Sequence, residues 1–218
     1  MLKPALSASV LAAVMVAIFW AYKSFLLLPE QSSYSKEPII LDSYGDNDIS
    51  YLNEARSSSS LSFFSFSKNL EQAAKNHALY LDKHGIISHD ETNTKALFTG
   101  QNPSARAINA GHNNSYVSEN LSSKQLSLKD SIDGLLSAIY HRFNFLHFSF
   151  NELGYFVHNN IYAYEMSNKQ INKLCQNASE FSSTAYLLNL CAQQNKKVPK
   201  YAFDSAIKPY KPDYIIFP

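Results

Sequence analysis

Glycine is scarce in this chain of 218 residues: there are six, scattered singly along it. A phosphate cradle of the glycine-rich type needs several glycines close together, so that backbone N–H groups can approach the anion, and nucleotide-binding loops are therefore not expected. No His-Glu-x-x-His helix and no Gly-x-Ser-x-Gly elbow occurs, which removes two common hydrolase signatures. Cysteine is rarer still, with only Cys175 and Cys191. They do not form a Cys-x-x-Cys pair, so a closed thiolate zinc site is not expected. Charge bias is also missing: 19 Lys and Arg stand against 18 Asp and Glu. No basic stripe interleaved with aromatic residues is present, and nucleic acid is not an expected partner.

Aromatic residues, in contrast, are abundant, with 14 Tyr and 14 Phe. Each buries a large apolar area, which predicts a well-packed interior and rules out disorder along the whole chain. The length suits one domain of typical size plus appendages. At the N-terminus the run Ala5 to Tyr22 is broken only by Ser7 and Ser9. As a helix it would span ~27 Å, close to the hydrocarbon thickness of a bilayer. The nearest small residue, Ala21, follows bulky Phe19 and Trp20, a poor cleavage site, so an uncleaved signal anchor is favoured over a removed signal peptide. Either one exports the rest of the chain. Residues 1–28 are thus read as signal anchor or signal peptide. Residues 29–49, with Pro29, Pro38, Asp42, Asp46 and Asp48, read as a solvated linker.

Periodicity organises the middle of the chain. Ser67 can cap a helix starting near Lys68, on which Leu70, Ala73, Ala74, His77 and Leu81 recur at three- and four-residue steps and share one buried stripe. His77 on that stripe is expected to be a packed, hydrogen-bonded core histidine. Gly85 ends the helix. Asp90 to Tyr116, rich in Asn, Ser, Thr and Gly, reads as a long irregular excursion. A second amphipathic helix is predicted from about Ser127 to Ile139, with Leu128, Ile132, Leu135, Leu136 and Ile139 on its apolar stripe and His141 at its C-terminal end. The β-prone runs Gly154 to Val157 and Ile161 to Tyr164, separated by His158-Asn159-Asn160, predict an antiparallel hairpin. Asn113, Asn120 and Asn177 each begin a glycosylation sequon, which matters only in a glycosylating host.

Residues 169–218 read as a separate C-terminal extension. Two short helices joined by a Cys175–Cys191 disulfide are expected in its first half. An oxidising compartment would permit that bridge, and loop closure would contribute roughly 3 kcal/mol. Two buried free thiols are the alternative. The apolar ending Tyr214 to Pro218 requires a covering surface, either on the domain or in a continuation of the chain.

Five short motifs appear in a fixed order: Leu52 to Arg56, Ser88-His89, Ser118 to Leu121, His141-Arg142 and Glu152 to Phe156. In this order the chain resembles the CAP superfamily of cysteine-rich secretory proteins, antigen 5 and pathogenesis-related proteins, and within it the bacterial SCP-like branch. The resemblance covers residues 50–168. It implies an α+β fold, specifically a three-layer α-β-α sandwich, here preceded by the N-terminal membrane helix. It also implies a cleft lined by two histidines and two acidic residues, in which the histidines can hold a divalent metal. By position, His89 matches the first histidine, Glu119 the first carboxylate and His141 the second histidine. The second carboxylate is missing: eukaryotic members of the family place a glutamate three residues after a tryptophan in the helix before the last histidine, and those positions here correspond to Leu135 and Ala138, as in a reduced bacterial version of the site.

The resemblance therefore implies a reduced site in which His89 and His141 would hold zinc or a similar ion, and Glu119 would orient a ring or act as general base. Two plainer roles compete with it. His141-Arg142 could serve the end of a helix, and Glu119 could hydrogen-bond loop amides. The expected function is that of an extracytoplasmic, membrane-tethered module binding a lipid, glycan or envelope component without turnover. The alternative is a metal-assisted hydrolase acting on peptide or cell-envelope material. Either would sit in the periplasm, at the cell surface or outside the cell, anchored in the inner or plasma membrane.

Overall fold

The computed structural model describes residues 49–177, 187–193 and 195–208. The expected membrane segment, the linker before Ile49 and the apolar tail after Lys208 lie outside the described residues. Among those described, no helix is long and apolar enough to cross a membrane.

The elements run α1 Ser50–Ser58, β1 Ser65–Phe66, α2 Lys68–His84, α3 Pro103–Asn109, β2 Ser118–Ser123, α4 Leu128–Ser137, α5 Ile139–Phe145, β3 Glu152–His158, β4 Ile161–Ser167, α6 Lys169–Asn177, β5 Leu187–Leu188, β6 Val198–Pro199 and α7 Lys200–Ile207. Four strands form a mixed sheet in the order β1-β3-β4-β2, with β1 parallel to β3 and the other pairs antiparallel. The β3–β4 hairpin matches the sequence expectation, and its strands extend beyond the predicted runs. Asn159 and Asn160 turn it at φ 46° and 59°, the left-handed pair that matches strand twist.

Strand alternation decides what each face buries. Leu153, Tyr155, Tyr162, Tyr164 and Met166 pack with Leu128, Ile132 and Leu135 of α4 and Phe145 of α5. On the opposite face Ala163 and Ile161 meet Ala74, Ala78 and Leu81 of α2. Helices thus cover both faces, which is why β4 is buried along its whole length. The approach of α2 is set by Gly154: a Cβ there would lie 2.0 Å from the Glu71 amide nitrogen and 2.6 Å from the Leu70 Cβ. Gly85 ends α2 at φ 61° as expected. Ser67 precedes α2, but its side chain makes no capping bond.

Arg56, from the first sequence motif, is a structural residue. Fully buried, it donates to the carbonyls of Ser62, Phe145 and Phe150, and its guanidinium lies 3.9 Å above the centre of the Phe64 ring. This ties α1 to the segment between α5 and β3, and burial pushes the Arg56 pKa down to about 9.

Three expectations need correction. The helix predicted from Ser127 to Ile139 stops at Ser137, because Ala138 is extended at φ −94°, ψ 121°. Arg142 takes the freed carbonyls, donating from Nε to Leu136 O and from Nη2 to Ser137 O at 3.5 Å. Consequently His141 lies within α5 and not at the end of α4, and Ile139 is 62% exposed rather than on the buried stripe. The excursion from Asp90 to Tyr116 is not wholly irregular, since it contains α3. Asn102 caps that helix by accepting from the Ala105 amide at 3.0 Å, and Pro103 stands at its first position. Nor is the C-terminal extension separate. The disulfide forms, with Cα atoms 5.2 Å apart, but Cys191 is not helical: it forms a β-bridge with Asn114. Leu190 O accepts from Ser115 N, Asn113 O from Ala192 N, and Phe203 of α7 packs edge-on against Tyr116.

Candidate functional site

The sheet register builds the site. In β2, Glu119 and Leu121 face α2, while Asn120 faces the other side and reaches α5. Across the β2–β4 ladder Glu119 stands directly opposite Glu165, and β3 contributes Gly154 opposite Glu165. A Cβ-free residue at that point lets α2 approach closely over two carboxyl groups. From α2 comes His77, from the loop after it Glu91, and from α3 Arg106. All five of these polar side chains are buried at 4% exposure or less.

Their contacts form one network. Arg106 donates from Nη2 to Glu119 Oε2 at 2.7 Å and from Nη1 to His89 O at 2.9 Å. Its Nη2 lies 3.7 Å from Glu165 Oε1 and its Nε 3.9 Å from Glu91 Oε1. His77 bridges Glu91 Oε1 and Ser88 O, both at 2.9 Å, with Glu119 Oε2 at 3.6 Å from its Nε2. Glu91 also accepts from the Thr99 amide at 2.7 Å. His77 is therefore the packed, hydrogen-bonded histidine expected from its stripe, and it belongs to the same network as the site.

His89 reports this network to solvent. Its Nδ1 is 2.7 Å from Glu119 Oε1, and its side chain is 52% exposed while that of Glu119 is fully buried. With Nδ1 held by the carboxylate, Nε2 is the ring nitrogen turned to any ligand. The bond to Glu119 raises the His89 pKa above the ordinary histidine value, against the opposing effect of partial burial. Burial by itself would raise the Glu119 pKa, but the His89 bond, the Arg106 charge and the charge of His77 outweigh it and hold the carboxyl below the usual glutamate range. For Glu165 the balance is reversed: burial and the neighbouring Glu119 charge push it well above that range.

His141 comes from α5. Asn120 Nδ2 donates to His141 O at 2.9 Å, and Asn144 Nδ2 to Glu119 O at 3.3 Å and Asn120 Oδ1 at 3.1 Å, which fastens α5 to β2. The partly buried His141 ring is lowered in basicity by burial and then by the charge of His89. Of the three expected residues, Glu119 and His89 are in direct contact, and His141 is tied to β2 through its backbone carbonyl. Exposed apolar residues flank both histidines in the sequence. Ile87 is 51% exposed two residues before His89, and Ile139 and Tyr140, just before His141, are 62% and 82% exposed.

Sequence reasoning missed Glu91, Arg106 and Glu165. Arg106 lies in a polar stretch with no periodicity to mark it. Glu165 carried a usable signal, since it is the one acid in the apolar β4 run Ile161 to Ser167, and such an acid is either paired or neutral when buried.

Residues 49–168 match the family model described as CAP, the cysteine-rich secretory protein family. No curated protein matches the chain. Among solved structures, an extracellular protein containing an SCP domain from Bacillus anthracis str. Ames is similar at TM-score 0.52 and 20% identity, over 56% of this chain and 39% of its own. An outer surface protein from Borrelia burgdorferi aligns at TM-score 0.48 and 19% identity, over 56% of this chain and 93% of its own. A cysteine-rich secretory protein from Staphylococcus aureus aligns at TM-score 0.38 and 15% identity, over 56% of this chain and 37% of its own. At 20% identity the likeness to the Bacillus protein is one of fold, and the aligned region spans 39% of that protein.

Proposed function

The chain belongs to the cysteine-rich secretory protein (CAP) family, and on that footing we propose that it is an extracytoplasmic ligand-binding module whose contact group is the outward edge of His89, with His141 completing the site from α5. The observation that carries this reading is the 2.7 Å contact of Glu119 Oε1 with His89 Nδ1. A buried carboxylate that fixes one imidazole nitrogen orients the other and tunes it. The ligand class that would suit such a site presents a hydrogen-bond acceptor to His89 Nε2 and apolar or ring surface to the exposed side chains of Ile87, Ile139 and Tyr140, as a lipid, glycan or envelope component would. Export through an N-terminal membrane tether is part of the proposal, and the Cys175–Cys191 disulfide supports the oxidising compartment it requires.

Zinc or another divalent ion is a second ligand the hollow can take. His89 Nε2 and the weakly basic His141 ring would hold it, with Glu119 behind His89 as the orienting carboxylate. Among the described residues no group of three or more His, Cys, Asp or Glu is arranged to hold a metal. The fit is therefore to an open, two-imidazole site and not to a closed structural one.

Metal-assisted hydrolysis, the alternative, would use Glu119 as general base. Both Glu119 oxygens are already engaged, by His89 and by Arg106, and a carboxylate held below its ordinary pKa is a poor proton acceptor near neutral pH. Binding without turnover is the better match to this chemistry. The test is saturable binding by the full chain across lipid, glycan and envelope-polymer panels, with zinc titrated separately, for parent and His89→Ala. Binding that His89→Ala abolishes is expected. No saturable ligand in any panel, or undiminished binding by the variant, would overturn the reading.

A further inference from the structure

We propose that Glu165 is present as a neutral acid that donates its proton to Glu119 across the β2–β4 ladder.

Geometry and donor bookkeeping carry this inference. Cross-strand register sets the two side chains opposite each other on the face toward α2. Both are fully buried or nearly so, at 0% and 4%. Among the described residues, neither Glu165 oxygen meets a hydrogen-bond donor from any other group. The guanidinium in reach, that of Arg106, bonds Glu119 at 2.7 Å and stands 3.7 Å from Glu165. The charged groups facing Glu165 are Glu119 from β2, Arg106 from α3 and Glu91 from the loop before α3, with His77 of α2 behind Glu119. Three ionised carboxylates around one arginine would leave an uncompensated buried anion with no donor, an arrangement that a carboxyl group avoids by keeping its proton. A neutral Glu165 supplies the missing donor. Two such carboxyls opposite each other share one proton between them.

The consequence for the site concerns His89. Glu119 then accepts from three sides, namely His89, Arg106 and Glu165, so it stays ionised while buried and its Oε1 is held on the imidazole. Glu165 is on this account a positioning residue that acts through Glu119. The inference rests on the reading of Glu119 as the group that orients His89, but it is tested by readouts that do not involve ligand.

The experiment uses the full chain with 13C-labelled glutamate. At pH 7 one glutamate Cδ resonance of the parent is expected at a protonated-acid position, and Glu165→Gln, which keeps a donor toward Glu119, is expected to lack it. Stability gives an independent readout. A group whose folded pKa is raised keeps its proton in the folded chain and loses it in the unfolded one, so the parent loses stability as pH rises above the ordinary glutamate value. Relative to the parent, the folding constant of Glu165→Gln should therefore climb about tenfold per pH unit over that range. Carboxylate positions for every parent glutamate at pH 7, or parallel pH curves for parent and variant, would overturn the proposal. If the variant fails to fold, Glu152→Gln decides: burial also raises the Glu152 pKa, so a protonated signal that survives its replacement supports the proposal and one that vanishes with it overturns it. Failure of ligand binding with the protonated signal present would count against the proposed function and leave Glu165 assigned.

Discussion

Arg106 is a cation buried among three carboxyl groups, and replacing it with methionine is the sharpest perturbation of this interior. Methionine preserves much of the volume and removes the charge. The structure then loses the 2.7 Å bond to Glu119 Oε2 and the 2.9 Å bond to His89 O, and Glu119 and Glu91 are left without the guanidinium. Removing one partner of a buried ion pair typically costs about 3–5 kcal/mol, because the remaining charge stays desolvated. Set against a total domain stability of about 5–15 kcal/mol, that is a large fraction.

The loss should depend on pH in one direction. Arg106 lowers the Glu119 pKa, and a depressed carboxyl contributes stability that is present above its unfolded value and lost as pH falls through the folded one. Arg106→Met should therefore be most destabilised near pH 7 and approach the parent as pH drops below the ordinary glutamate range. Urea denaturation followed by far-UV circular dichroism at several pH values measures this. A deficit below about 1 kcal/mol at pH 7, or one that does not shrink on acidification, would refute the assignment of Arg106 as counter-ion of the network.

Three further outcomes are expected. Gly154→Ala should cost about 3 kcal/mol in the same denaturation assay, since the added methyl must displace the start of α2 from contact distances of 2.0–2.6 Å; a neutral effect would mean that α2 does not seat where the register places it. Reducing the Cys175–Cys191 bridge, which closes a 16-residue separation, should lower stability by roughly 3 kcal/mol, read as a shift in melting temperature with and without reductant. For His89 the raised pKa predicts an imidazole titration midpoint above the usual value of about 6.5 by NMR, and Glu119→Gln should bring it down. The associated stability is present below about pH 6.5 and fades as pH rises through the folded midpoint; an unshifted midpoint in the parent would remove Glu119 as the cause.

Much of this protein was legible from residue order. The stripe Leu70, Ala73, Ala74, His77 and Leu81 marked α2 because a helix repeats about every 3.6 residues, and Asn159-Asn160 marked the hairpin because few residues accept its left-handed turn. Family membership likewise followed from short motifs in order, and with it the nomination of His89, Glu119 and His141. Elsewhere the local signals were too weak to read. The break at Ala138 has no Pro or Gly to announce it, and it exists because Arg142 caps the carbonyls left open. Likewise α3 hung on a single Asn-Pro pair inside a polar stretch.

What only the tertiary structure decided is the interior of the site. Nothing in the spacing of Glu91, Arg106, Glu119 and Glu165 says that they converge. The β2–β4 register sets two acids opposite each other, Gly154 lets α2 close over them, and α3 delivers one guanidinium between them. Sequence determined which elements form, because periodicity and turn chemistry act over a few residues. The state of each charge was left to packing, because desolvation and Coulomb energy depend on which groups share a buried volume and not on how far apart they lie along the chain.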